Sequence, residues 1–108
     1  MPAIFTDLDS IEKLDELFER SHSAPVVIFK HSNTCGISSM ISGRVKGLDA
    51  EINLIIVQRN RDVSNELAER TGIRHESPQA FVLRNGKIVY HASHYSIDPD
   101  EITRELGK

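Results

Sequence analysis

Two stretches of the chain, APVVIFK (24–30) and INLIIVQ (52–58), are near-continuous runs of apolar and β-branched residues. Such runs predict strands buried on both faces, as in the middle of a parallel sheet covered by helices. Between them, CGISSMISGRVKG (35–47) is long enough for a crossover helix. Its three serines, Gly36 and Gly43 make it a poor helix by propensity, and Gly47 is placed to cap its end. The crossover is expected to be right-handed. Upstream, DSIEKLDELFERS (9–21) sets Ile11, Leu14, Leu17 and Phe18 on one helical stripe. Asp9 with Glu12 has the form of a capping box, and a short strand AIFT (3–6) precedes it.

The second half follows the same logic. DVSNELAERTG (62–72) predicts a helix with Val63, Leu67 and Ala68 inward, stopped at Gly72. AFVLR (80–84) and KIVYHA (87–92) flank Asn85-Gly86. Asn-Gly between apolar segments signals a two-residue hairpin, since a type I′ turn needs positive φ at both central residues. In SIDPDEITRELGK, Asp98 is a candidate N-cap, Pro99 the first helical residue and Glu101 the partner in a capping box, with Ile102 and Leu106 on one face. The predicted order is β-α-β-α-β-α-β-β-α. It implies an α/β fold, a mixed central sheet with helices on both faces, formed by residues 1–108 as one domain.

Composition narrows the partners. A net charge of −3, with both signs interspersed, argues against a general nucleic-acid binder. No apolar run approaches the ~20 residues needed to span a bilayer, so neither nucleic acid nor membrane is an expected partner. MPAIFTDLDS lacks the basic and then apolar regions of a signal peptide. A single cysteine forbids an intramolecular disulfide and fits a reducing, cytoplasmic location.

That cysteine, Cys35, falls where a buried strand gives way to a helix. Free N–H groups and the positive end of a helix dipole favour thiolate over thiol there, lowering the pKa from its free value of about 8.5. A lone cysteine elsewhere in a chain is more often a small buried hydrophobe. The strand-to-helix position and the Cys-x-x-Ser spacing turn the reading toward a reactive thiol. Thr34 is the candidate N-cap. Ser38, one turn on, either donates a weak hydrogen bond to the thiolate or simply bonds to solvent or a backbone carbonyl. Lys30, His31 and Arg44 add positive field if they face Cys35. The five histidines, His22, His31, His75, His91 and His94, show no zinc spacing, so no metal is expected.

LAERTGIRHESPQAFVLRNGKIV (67–89) resembles the second half of a thioredoxin-fold protein, with a helix leading through Gly-Ile to a cis-proline, a strand, an Asn-Gly turn and a second strand. More narrowly, FKHSNTCGISS with HESPQAFVLRNGKIVYHASH resembles the YtxJ-type monothiol bacilliredoxins. The resemblance implies a thioredoxin-like fold and a cis Ser77–Pro78 bond beside Cys35. Thr34, Gly36, Ser77 and Pro78 would contact substrate, and His75 and His94 would line the site. Cys35 would be the nucleophile that takes bacillithiol, a glucosamine–malate–cysteine conjugate, from bacillithiolated client proteins. An external thiol must then resolve the adduct. No bound cofactor is implied, and the expected state is a monomer or weak dimer. The malate carboxylates would suit Lys30 or Arg44. Many members carry proline after the cysteine, where this chain has Gly36. Cys-Gly-Ile-Ser is also one substitution from the Cys-Gly-Phe-Ser of monothiol glutaredoxins, so an iron–sulfur carrier using Cys35 and a small thiol as ligands is the alternative. Against it, Ser-Pro-Gln differs from that family's Thr-Val-Pro. A thioredoxin-fold binding module with an inert thiol is the third reading.

Overall fold

The computed structural model of the chain describes residues 3–32 and 36–108. Five strands, β1 (Ile4–Asp7), β2 (Val26–His31), β3 (Glu51–Ile56), β4 (Gln79–Arg84) and β5 (Lys87–Ser93), form one sheet in the order β1-β3-β2-β4-β5. β1, β3 and β2 run parallel, while β4 is antiparallel to both β2 and β5. Four helices accompany them: α1 (Ile11–Arg20), α2 (Gly36–Val45), α3 (Arg61–Thr71) and α4 (Pro99–Leu106), with a 3-10 turn at His94–Ser96 before the last. The element order is the one expected from the hydrophobic pattern.

β2 is the central strand, and five of its six residues are buried. Its side chains alternate between two cores. On one face, Val26 and Ile28 pack with Leu14 and Leu17 of α1 and Val63 and Leu67 of α3. On the other, Val27 and Phe29 pack with Val45 of α2 and Ile102 of α4. An apolar run with no polar alternation is therefore what a strand covered on both sides requires.

Several local expectations are revised. The cap of α1 is Ser10, not Asp9. Ser10 is extended (φ −150°, ψ 156°) and its hydroxyl accepts the Lys13 N–H, while the Asp9 carboxylate pairs with the Lys13 ammonium at 2.8 Å. At α4, the Asp98 side chain caps the Asp100 N–H at 2.9 Å as expected. The reciprocal half of the box is absent: the Asp98 N–H donates to Tyr90 Oη at 3.1 Å, and Glu101 pairs with Arg104. α2 ends at Val45, two residues before Gly47, which is not among the glycines with positive φ. Gly72 does cap α3 in the left-handed conformation, at φ 70°. Asn85 and Gly86 (φ 54° and 73°) make the type I′ geometry of the β4–β5 hairpin.

Candidate active site

The site forms where β2, the strand behind the cysteine, ends beside the loop entering β4. Two contacts hold the end of β2 on its β3 side. The Val57 N–H donates to the His31 carbonyl at 3.0 Å, and Gln58 Nε2 donates to Ser32 Oγ at 2.6 Å. On its other side Lys30 pairs with Gln79 in the antiparallel register. Continuing that register by one residue sets Pro78 level with His31. The Ser77–Pro78 peptide bond is cis. Pro78 is buried and Ser77 half-buried.

The proline loop is fastened at three points. Buried Gln79 uses both ends of its amide, with Nε2 donating to the Arg74 carbonyl at 3.0 Å and Oε1 accepting the Glu76 N–H at 3.3 Å. The His94 N–H donates to the Pro78 carbonyl at 2.9 Å, which ties the 3-10 turn to the proline. His94 adopts φ 55° there, a left-handed value that histidine tolerates better than most residues. Glu76 is held below the usual carboxylate range by a hydrogen bond from Ser93, with His94, Arg74 and His75 adding positive field.

α2 begins at Gly36, the residue after Cys35 in the sequence. Its N–H groups at that end lack helical partners, as at any helix start. Cys35 and Thr34 lie outside the described residues. Ser38 belongs to the first turn of α2. A Cβ built on Gly36 would meet none of the described atoms within 4 Å. α2 packs against the 3-10 turn, and each offers an exposed apolar side chain, Met40 from the helix and Tyr95 from the turn.

The charged candidates fall in three different places. His31 is half-buried on the α2 side of the sheet, stacked near Phe29 with ring centroids 6.3 Å apart. Arg44 is in the last turn of α2. Eight residues of helix put its backbone about 12 Å from that of Gly36 along the axis. Lys30 does not face that side at all. It is fully buried under α3, on the opposite face of the sheet, and so offers no exposed ammonium to a carboxylate. The expected match of malate to Lys30 is therefore corrected.

Lys30 instead organises a polar cluster beneath the proline loop. Its Nζ donates to the Ser64 carbonyl at 3.1 Å and lies 3.2 Å from His75 Nδ1. The same Nδ1 is 3.1 Å from Ser64 Oγ. The ammonium also sits 5.8 Å from the centroid of the Phe81 ring. Burial lowers the Lys30 pKa to about 8. It also lowers that of His75, an effect that Lys30 and Arg61 reinforce and Glu76 opposes. His75 thus meets Lys30 rather than α2, whereas His94 does join the proline. Sequence reasoning missed Ser64, Gln79 and Ser32. A polar residue in a buried strand or on a helix's inner face is the only signal they carry, and hydropathy alone does not separate it from a solvated one. Among the described residues no group of three or more His, Cys, Asp or Glu side chains is arranged to hold a metal. No described helix is long and apolar enough to cross a membrane.

The comparisons agree with this fold. A family model for the monothiol bacilliredoxin BrxC matches residues 6–102. The chain belongs to the monothiol bacilliredoxin family. A solved thioredoxin-fold structure, described as a candidate oxidoreductase, is 33% identical with a TM-score of 0.83, covering 94% of this chain and 91% of that one. Thioredoxin from Fasciola hepatica is 16% identical (TM-score 0.70; 94% and 95% covered), and thioredoxin h from Nicotiana alata is 19% identical (TM-score 0.73; 98% and 92% covered). The last two establish the thioredoxin fold alone. Membership of the bacilliredoxin family makes this a thiol redox protein, and its single cysteine makes Cys35 the only thiol with which it can work.

Proposed function

We propose that the protein is a monothiol thiol–disulfide oxidoreductase that removes bacillithiol from mixed disulfides on client proteins. The observation that carries this reading is positional. The chain's only cysteine adjoins the first residue of α2, and that helix packs against the turn whose His94 N–H holds the Pro78 carbonyl. A thiolate placed there is stabilised by the helix start. It attacks the bacillithiol sulfur of the mixed disulfide. A Cys35–bacillithiol disulfide forms, the client–bacillithiol bond breaks, and the client sulfur leaves as thiolate and takes up a proton. With no second cysteine, an external thiol then attacks the adduct and restores Cys35. If that thiol is a second bacillithiol, the product is the symmetrical bacillithiol disulfide, and electrons balance. Ser38 would donate to the Cys35 thiolate, and Thr34 would cap the helix. The backbone at Ser77, beside cis Pro78, would pair with an extended client segment like an added strand, with Met40 and Tyr95 supplying apolar contact at the rim. Such chemistry belongs in a reducing compartment, the cytoplasm.

The test is a client protein carrying one bacillithiol mixed disulfide, incubated with the protein and followed by intact mass. The wild type is expected to release the client reduced and to gain one bacillithiol on Cys35, and Cys35→Ala to release it only at the background rate. Undiminished release by Cys35→Ala would overturn the reading.

A further inference from the structure

The Lys30 cluster has no part in the exchange chemistry above, yet it is the most unusual polar feature of the described structure. A lysine that is fully buried is rare unless it is paired. Among the described residues no carboxylate pairs with Lys30, and burial is the only cause of its depressed pKa. Its donors go instead to a helix carbonyl (Ser64 O), an imidazole nitrogen (His75 Nδ1) and an aromatic face (Phe81). Of these three, only His75 belongs to the proline loop, three residues before Pro78. His75 is an exposed residue, so the contacts of its Nδ1 with Lys30 and Ser64 are what anchor it.

We propose that Lys30 and His75 are positioning residues: the buried ammonium, bonded to His75 Nδ1, holds the 73–78 segment in the conformation that presents Ser77–Pro78 to the client. The inference rests on the reading that this loop docks the client. Gln79 already fastens the loop at Arg74 and Glu76. The Lys30–His75 bond adds a fastening between those two points, on the face away from α2. It requires His75 to be neutral, with Nδ1 accepting and the proton on Nε2. A protonated His75 would turn a second donor toward the ammonium and break the contact. The groups that face His75 favour the neutral form on balance. Lys30 from β2 and Arg61 from α3 disfavour its charge, and Glu76 from its own loop favours it. The Ser64 hydroxyl from α3 can donate or accept and fits either form.

The test uses full-length protein and a short peptide carrying a bacillithiol mixed disulfide, with steady-state release measured alongside the pH profile of Cys35 alkylation by iodoacetamide. Lys30→Met keeps an apolar chain of similar length in the pocket, and His75→Gln changes an exposed residue, so at least one is expected to fold. Each should raise KM for the peptide about tenfold, equivalent to about 1.4 kcal/mol, with kcat and the alkylation profile near wild type. The double variant should be no worse than either single one, because both remove the same contact. In the wild type KM should rise as pH falls through the His75 titration, and that rise should vanish in His75→Gln. Unchanged KM in both folded variants would overturn the proposal, as would an altered alkylation profile with KM unmoved. Failure of the underlying reading looks different: Cys35→Ala would then retain release whatever Lys30 does.

Discussion

At the scale of single residues, Lys30 carries a stability consequence separate from its role under the loop. Its pKa falls from the lysine value of 10.5 to about 8 because burial penalises the charged form. Below pH 8 both folded and unfolded chains hold this proton, and the folded state bears the whole penalty. Between about pH 8 and 10.5 the unfolded chain binds more protons, so the contribution of this group makes stability rise with pH. Lys30→Met removes the titration. The variant's stability relative to the wild type is expected to be about 1–3 kcal/mol more favourable at pH 7 than at pH 10. Urea unfolding of both proteins at pH 7, 8.5 and 10 measures it, and a pH-independent difference would disprove it. The same substitution is expected to weaken client docking.

At the scale of elements, the hairpin and α2 make contrasting cases of glycine. Gly86 sits at φ 73°, and a Cβ there would meet the His22 ring at 3.5 Å. Its N–H donates to the hydroxyl of buried Ser21 at 2.9 Å, which locks the turn against the end of α1. Gly43 lies inside α2 with none of the described atoms within 4 Å of a built Cβ. Gly86→Ala is therefore expected to destabilise by about 1–2 kcal/mol, and Gly43→Ala to stabilise by about 0.5–1 kcal/mol. For a chain of this size that is a drop of roughly 4–16 °C in Tm against a rise of roughly 2–8 °C. Two falls of equal size in thermal scans would refute the distinction. The strands, α1, α3 and the Asn-Gly turn were legible because each rests on a local rule, namely apolar runs, a helical stripe, or positive φ. The caps at Ser10 and Asp98 were harder, since adjacent residues of similar type compete and backbone geometry decides. The fastening of the proline loop by Gln79 and Lys30 was not legible. It joins residues of three elements whose meeting depends on the β2–β4 register, and a lysine in an apolar run reads as the end of a strand.

At the scale of the whole molecule, one sheet separates two cores that share no side chain. The C-terminal end of β2 is where the site's parts converge, because α2 leaves from one face while the Lys30 cluster supports the proline loop from the other. Support and chemistry are thus divided between the two layers. If the layers are mechanically independent, damage to each should add. Val63→Ala, in the α1–α3 core, is expected to cost about 1–3 kcal/mol, and Ile102→Val, in the α2–α4 core, about 0.5–1.5 kcal/mol. Both positions are fully buried. The double variant should lose the sum of the two within about 0.5 kcal/mol, in a single urea transition with an unchanged m value. A coupling above about 1 kcal/mol would mean that strain in one core reaches the other through the β2–β4 pairing. In that case the proline loop, attached to the same pair of strands, would feel repacking on either face. Peptide KM in the two single variants would reveal this: independent layers leave it unchanged by Ile102→Val, whereas a coupled sheet would move it in both.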